Sequence, residues 1–389
     1  MLDRELSDEL RFLAREYPVL TLLGPRQSGK TTLCRAIFPD HRYINLEEPE
    51  IRALALADPR AFFKQNPPPL ILDEIQRAPE LCSWIQVIVD ERKTKGEFIL
   101  TGSSQPTLLA AISQSLAGRN ALATLYPFTI GELRSGGIET GRDDGILAGF
   151  FPRIHAEKQE PTRAYRNYIQ TYIERDIRQI LNIKNLSAFE RFLGLLAGRI
   201  GQLVNLSSLA ADTGVSSTTL AEWLNALESS FLVYRLRPFH AKLGKRLVKA
   251  PKLYFSDVGL ASALIGLKTT DAVARDKLLG VLFENLVVME AVKQFCNHGE
   301  TPPLWFYRDQ NGREIDLIVD RNRQLIPIEI KASMTWNPEF AKGVTWFQEL
   351  AAREAGRQLP ERALVVYAGE RRVESERYEA LPFGELRVV

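Results

Sequence analysis

Two glycines, a lysine and a threonine in the stretch LTLLGPRQSGKTTL, residues 20–33, have the spacing that wraps a chain of phosphates. Gly24 and Gly29 free the backbone so that its N–H groups turn inward, Lys30 reaches the β and γ oxygens, and Thr31 offers a hydroxyl to Mg2+. The loop set for ATP also takes in Pro25, Arg26, Gln27, Ser28 and Thr32. Hydrolysis needs a carboxylate at the end of a neighbouring strand to hold the metal's water shell. PLILDEIQR, residues 69–77, supplies Asp73 to position Mg2+ and Glu74 to polarise the attacking water; the other reading of adjacent carboxylates here is a helix cap. In GEFILTGSSQ, residues 96–105, an apolar run ends in Ser103 and Ser104, either of which suits contact with the γ-phosphate or the water.

A second set of chemically capable residues lies in the last third. Glu284 stands near the start of the amphipathic stretch GVLFENLVVMEAVKQF, and Asp316 sits inside the apolar REIDLIVD. Twelve residues intervene before Glu329, which with Lys331 brackets Ile330, so both point to one face of their strand. That set suits Mg2+-assisted phosphodiester hydrolysis, with Asp316 and Glu329 as ligands, Lys331 on the water and Glu284 completing the shell. The same residues equally suit a buried Asp316–Lys331 ion pair in a fold that grips DNA without cutting it.

The elements that must position these groups can be read from periodicity. PVLTLL is a buried strand and a helical pattern starts at Thr31, so the loop opens a helix whose positive end faces the anion. Strands and helices alternate through ALATLYPFTIGEL, residues 121–133, which predicts a doubly wound parallel sheet over residues 1–155. Residues 156–250 read as a helical connector and then helix, turn, helix and hairpin, the order of a winged helix. SSLAADTG ends at Gly214, VSSTTLAEWLNALESS carries Leu220, Trp223, Leu224 and Leu227 on one face, and FLVYRLRPF alternates as a strand. From Ser229 to Ser256 there is no acidic residue but there are seven basic ones, Arg235, Arg237, Lys242, Lys245, Arg246, Lys249 and Lys252. Such a stretch predicts salt-dependent contact with the DNA backbone; winged helices also dock protein partners. Residues 251–389 then form an α/β domain.

Composition excludes several classes. Among 389 residues, 45% are hydrophobic and the formal charge is only +2, so neither disorder nor bulk attraction to nucleic acid is expected. Cys34, Cys82 and Cys296 form no CxxC pair, which fits a reducing cytoplasm. No window approaches the length of a membrane-crossing helix, so no membrane partner is expected.

Taken in order, GPRQSGKTT, LILDEIQ, ILTGSS, SLAGR, LYPFTIGEL and YIERDI resemble a prokaryotic family of AAA-type ATPases whose C-terminal domain of unknown function has a restriction-endonuclease-like core. The C-terminal acidic residues and ExK resemble the PD-(D/E)xK nuclease core. The resemblance implies a P-loop AAA-like sheet and, by wider analogy, assembly as a homo-oligomeric ring or hexamer with ATP between subunits. Such a site takes an arginine from a neighbour, for which Arg119 in SLAGR is the first candidate and Arg153 in GFFPRI the second. By the same analogy the expected partner is DNA, including branched or broken DNA in recombination, repair or defence.

Overall fold

The computed structural model describes residues 2–103, 106–177, 183, 185–239, 249–321, 324–354 and 363–389. Five parallel strands form the first sheet: β1 (Val19–Leu23), β2 (Arg42–Asn45), β3 (Leu70–Asp73), β4 (Phe98–Gly102) and β5 (Asn120–Thr124). Because side chains alternate across a strand, Leu20, Leu22, Ile71 and Ile99 pack under Leu6, Leu10 and Leu33. Val19, Leu23, Leu70, Phe98 and Leu100 pack on the other face against Phe62, Ile85 and Leu108. Both faces are covered, which is why these strands read as continuous apolar runs.

The spatial order β2-β3-β4-β1-β5 corrects one expectation. The strand bearing Asp73 is not the neighbour of the P-loop strand, because β4 lies between them. A parallel crossover need not join adjacent strands. The interposed β4 places Ser103, which follows its end, within hydrogen-bond reach of Gln76.

From Tyr126 onward the chain joins a second, larger core that continues to Val388. Helix Leu206–Thr213 ends at Gly214, whose φ of 71° makes the turn, and helix Ser217–Ser229 is capped by the Ser216 side chain. Leu220, Trp223, Leu224 and Leu227 are buried, with Trp223 edge-on to Phe189 and packed against Phe192. An antiparallel pair follows, β6 (Val233–Pro238) and β7 (Lys252–Phe255). This pair is the edge of an eight-stranded sheet, because β6 also pairs in parallel with β8 (Leu304–Arg308). The sheet continues through β9 (Glu314–Arg321), β10 (Gln324–Lys331), β11 (Ala363–Tyr367), β13 (Tyr378–Pro382) and β12 (Val373–Glu374). The boundary expected between residues 250 and 251 thus falls inside the β6–β7 pair, and the sheet runs across it. The long helix Leu279–Asn297 covers one face of this sheet, and Lys342–Glu354 covers the other.

Candidate functional site

At the carboxyl ends of β1, β3 and β4 the predicted ATP residues come together around a cavity of about 440 Å³. Arg26, Gln27, Gly29, Lys30, Thr31, Thr32 and Glu74 line it. Gly24 is required by close approach as well as by its φ of 148°: a Cβ there would lie 2.1 Å from the carbonyl oxygen of Leu125. Gly29 has a φ of 94°, and Gln27 and Glu74 also take positive φ without being glycine, which stores backbone strain here. The Lys30 ammonium donates to the carbonyl oxygens of Gly24 (3.0 Å) and Pro25 (2.8 Å). Burial lowers its pKa to about 8.

Thr31 Oγ1 donates to Asp73 Oδ2 at 2.9 Å, so the hydroxyl and the carboxylate expected at one Mg2+ stand side by side. Tyr43 Oη and Thr101 Oγ1 also donate to Asp73 and fix its orientation. Burial raises the Glu74 carboxyl above its usual range, opposed chiefly by the charge of Lys30. The Gln76 amide donates both to Glu74 and to Ser103 Oγ (3.1 Å) and links the two strand ends. Ser28 Oγ is buried with no hydrogen-bond partner among the described residues. A loop closed to a Cβ at Gly24, an unanswered hydroxyl and the Thr31–Asp73 pair fit a triphosphate with its Mg2+. Ser104 lies outside the described residues.

Sequence reasoning missed Arg4. Its buried guanidinium donates to Glu132 Oε1 (2.9 Å), to the Ser28 carbonyl (2.9 Å) and to the Tyr126 carbonyl (2.6 Å), so it ties the P-loop to the chain beyond β5. One arginine in a charged amphipathic opening gives no sequence signal for that role. Gln76, by contrast, belongs to the quoted motif LILDEIQ.

The two arginine candidates separate. Arg119 immediately precedes β5, and its carbonyl accepts from Val19 N at the start of β1, the end of the sheet opposite the P-loop. Its guanidinium lies on the surface in a two-point pair with Asp90 (2.5 and 2.8 Å). With a strand rise of about 3.3 Å per residue, it stands roughly 16 Å from its own loop. Arg153 instead lines the cavity of its own chain, within 3.7 Å of Glu157.

The C-terminal residues also assemble, but as ion pairs. Lys252 Nζ donates to Glu284 Oε1 at 2.8 Å and also pairs with Glu314; Tyr254 Oη donates to the same Glu284 oxygen at 2.6 Å. Lys331 Nζ pairs with Glu329 Oε1 at 2.5 Å. Where the β9–β10 ladder ends at Leu317↔Ile328, Asp316 Oδ2 accepts from Ile330 N at 2.8 Å. Burial first, and the charge of Asp316 second, raise both Glu284 and Glu329 to about 7. Among the described residues no three His, Cys, Asp or Glu side chains are arranged to hold one metal ion. Lys252 takes up Glu284, the carboxylate expected to complete the metal's shell, while Glu329 Oε2 is buried with no partner among the described residues. Lys252 itself is buried, which corrects its inclusion among the DNA-facing cations.

Of those cations, Arg237 and Lys249 are exposed, and Arg235 pairs with Glu228. Lys242, Lys245 and Arg246 lie outside the described residues. Among the described residues no helix is long and apolar enough to cross a membrane.

An AAA domain model matches residues 16–134, and two domains of unknown function follow, DUF8612 over 141–271 and DUF4143 over 279–386. Fold, site and domain order define an AAA-type ATPase with C-terminal domains of unknown function. The uncharacterized protein Rv2008c of Mycobacterium tuberculosis is 32% identical over 334 residues, covering 85% of this chain and 74% of the relative. The chain belongs to the same family as that protein. A more distant relative, the uncharacterized protein MJ1544 of Methanocaldococcus jannaschii, is 23% identical over 353 residues, 82% of this chain and 76% of its own. Among solved structures, the Walker-type ATPase PABY2304 of Pyrococcus abyssi has a TM-score of 0.45 at 17% identity, covering 68% of this chain and 96% of its own. AMPPCP-bound DnaA from Aquifex aeolicus has a TM-score of 0.28 at 14% identity, covering 57% and 85%.

Proposed function

We propose that the chain is a Mg2+-dependent ATP hydrolase that acts on DNA, with residues 205–239 as a winged helix on the DNA backbone and a C-terminal domain that grips more than it cuts. The observation that carries hydrolysis is the Thr31–Asp73 pair beside Glu74 in the P-loop cavity. Thr31 and Asp73 would hold Mg2+, which would supply neutralisation of the phosphate charge. Lys30 exchanges its two loop carbonyls for phosphate oxygens. Glu74, made more basic by burial and steered by Gln76, accepts a proton from the attacking water. Arg119, on the opposite edge, completes the site of the next copy in a ring, so Arg119→Ala abolishes turnover but leaves nucleotide binding intact.

Support for DNA comes from the turn at Gly214, the exposed Arg237 and Lys249, and the acid-free run that contains them. The Lys252–Glu284 pair favours gripping over metal-dependent cutting. The test is ATP turnover on no DNA, single strand, duplex and a four-way junction at two salt concentrations, with the DNA run on a gel afterwards. Stimulation by DNA that fades with salt, over uncut DNA, is the expected result. Turnover indifferent to all four conditions returns the protein to the class of switches that dock a protein partner, and cutting lost in Asp316→Ala returns it to the nucleases.

A further inference from the structure

The helix Leu279–Asn297 belongs to the C-terminal domain, yet its buried polar side chains end on the wall of the nucleotide cavity. Lys293 Nζ donates to the carbonyl of Phe128 at 2.8 Å, and Phe128 lines that cavity. The same ammonium sits 4.1 Å from the centre of the Phe150 ring. Phe150 immediately precedes the segment whose Pro152, Arg153 and Ala156 form the facing wall, and its carbonyl accepts from Phe128 N at 3.0 Å. One turn before Lys293, both oxygens of Glu290 accept from Ile130 N, at 3.2 and 3.0 Å. That amide opens helix Ile130–Ser135 and has no partner within it.

Both groups are almost fully buried, and their opposite charges favour one another. A charge buried this deeply is costly unless it holds something in place. What these two hold is Phe128, gripped on its carbonyl by Lys293 and flanked by the Glu290 bond to Ile130. On the other side of that ring lies the Arg4 guanidinium, 4.7 Å from its centre, which bonds the P-loop carbonyl of Ser28.

We infer that Glu290 and Lys293 of the C-terminal domain are positioning residues for ATP binding in the N-terminal one. The inference rests on reading the cavity as the ATP site. These residues touch no reacting atom and set only the wall at Phe128 and Phe150–Arg153, so their loss weakens ground-state and transition-state binding alike: KM rises while kcat stays. The test compares Lys293→Met and the double variant Glu290→Gln with Lys293→Met, in the full chain, by ATP turnover, ATP binding and thermal unfolding. The double variant removes both charges together, so the net charge of the buried cluster, which also holds Asp257 and Glu132, is unchanged, and its amide oxygen still accepts from Ile130 N.

The expected result in the folded double variant is a rise of about tenfold in KM and in the ATP dissociation constant at unchanged kcat. A purely structural role lowers the melting temperature and the active fraction, so that apparent kcat falls at unchanged KM. That pattern, or loss of fold in both variants, overturns the inference. Lys30→Ala separates the two levels. Wild-type binding that is lost in Lys30→Ala but unchanged in the double variant overturns the positioning role alone, whereas a wild-type chain that binds no ATP overturns the reading of the cavity and this inference with it.

Discussion

The P-loop and the C-terminal carboxylate cluster use the same vocabulary, buried acids and lysines at strand ends, and arrive at opposite states. At the P-loop, Glu74 faces an open cavity, Ser28 Oγ has no partner among the described residues, and Lys30 rests on backbone carbonyls that a phosphate can replace. In the cluster, Glu284 and Glu314 share Lys252 while Glu329 takes Lys331, so most of the charge is met within the chain, although Glu329 Oε2 is buried with no partner among the described residues. The P-loop presents its groups to an open cavity, whereas the cluster turns most of its charge onto its own cations.

Substitution of Glu74 by Gln has the largest expected effect on this contrast. ATP turnover falls by about two to four orders of magnitude with nucleotide affinity retained, as read by phosphate release. Lys252→Met attacks the other side. Removing the buried cation of Glu284, while Glu314 keeps Arg308, costs about 3 kcal/mol in a denaturant titration while KM for ATP stays unchanged; an unaltered stability would place the cluster among open sites as well.

Titration sharpens the same distinction. Since Lys30 loses its proton near pH 8 in the empty site, ATP binding must restore that proton at higher pH, and calorimetric affinity weakens by up to about tenfold per pH unit above 8. In the cluster the sign concerns folding. Glu284 and Glu329 keep their protons to about 7 in the folded chain but only to the ordinary value near 4.5 when unfolded. Their stabilisation is therefore complete below about pH 4.5 and is lost as pH rises through 7, and Glu329→Gln flattens that slope in unfolding measured across the window. The smallest effect belongs to the surface. Arg237→Ala and Lys249→Ala each reduce the slope of log affinity for duplex against log salt by about 1.

The P-loop was readable because its chemistry is local: glycine, lysine and threonine must be contiguous to wrap one phosphate chain. Asp73 and Glu74 were readable for the same reason, since an apolar strand delivers them directly. Strand order was not, because β4 enters between β1 and β3 through a crossover that leaves no mark in local periodicity. Arg4 and Lys293 escaped because their partners are backbone carbonyls of Ser28, Tyr126 and Phe128, and a carbonyl has no side-chain signature. Lys252 was misassigned by its neighbours. A run of basic residues suggested a phosphate-facing surface, but alternation along β7 carried this one inward to Glu284.

The most direct measurement is steady-state phosphate release from ATP by the wild-type chain and by Glu74→Gln, each with Mg2+ and with the metal chelated. The account predicts turnover by the wild-type chain with Mg2+ alone, and none by Glu74→Gln although it still binds ATP. Equal turnover by the two chains, or turnover that persists without the metal, would contradict it.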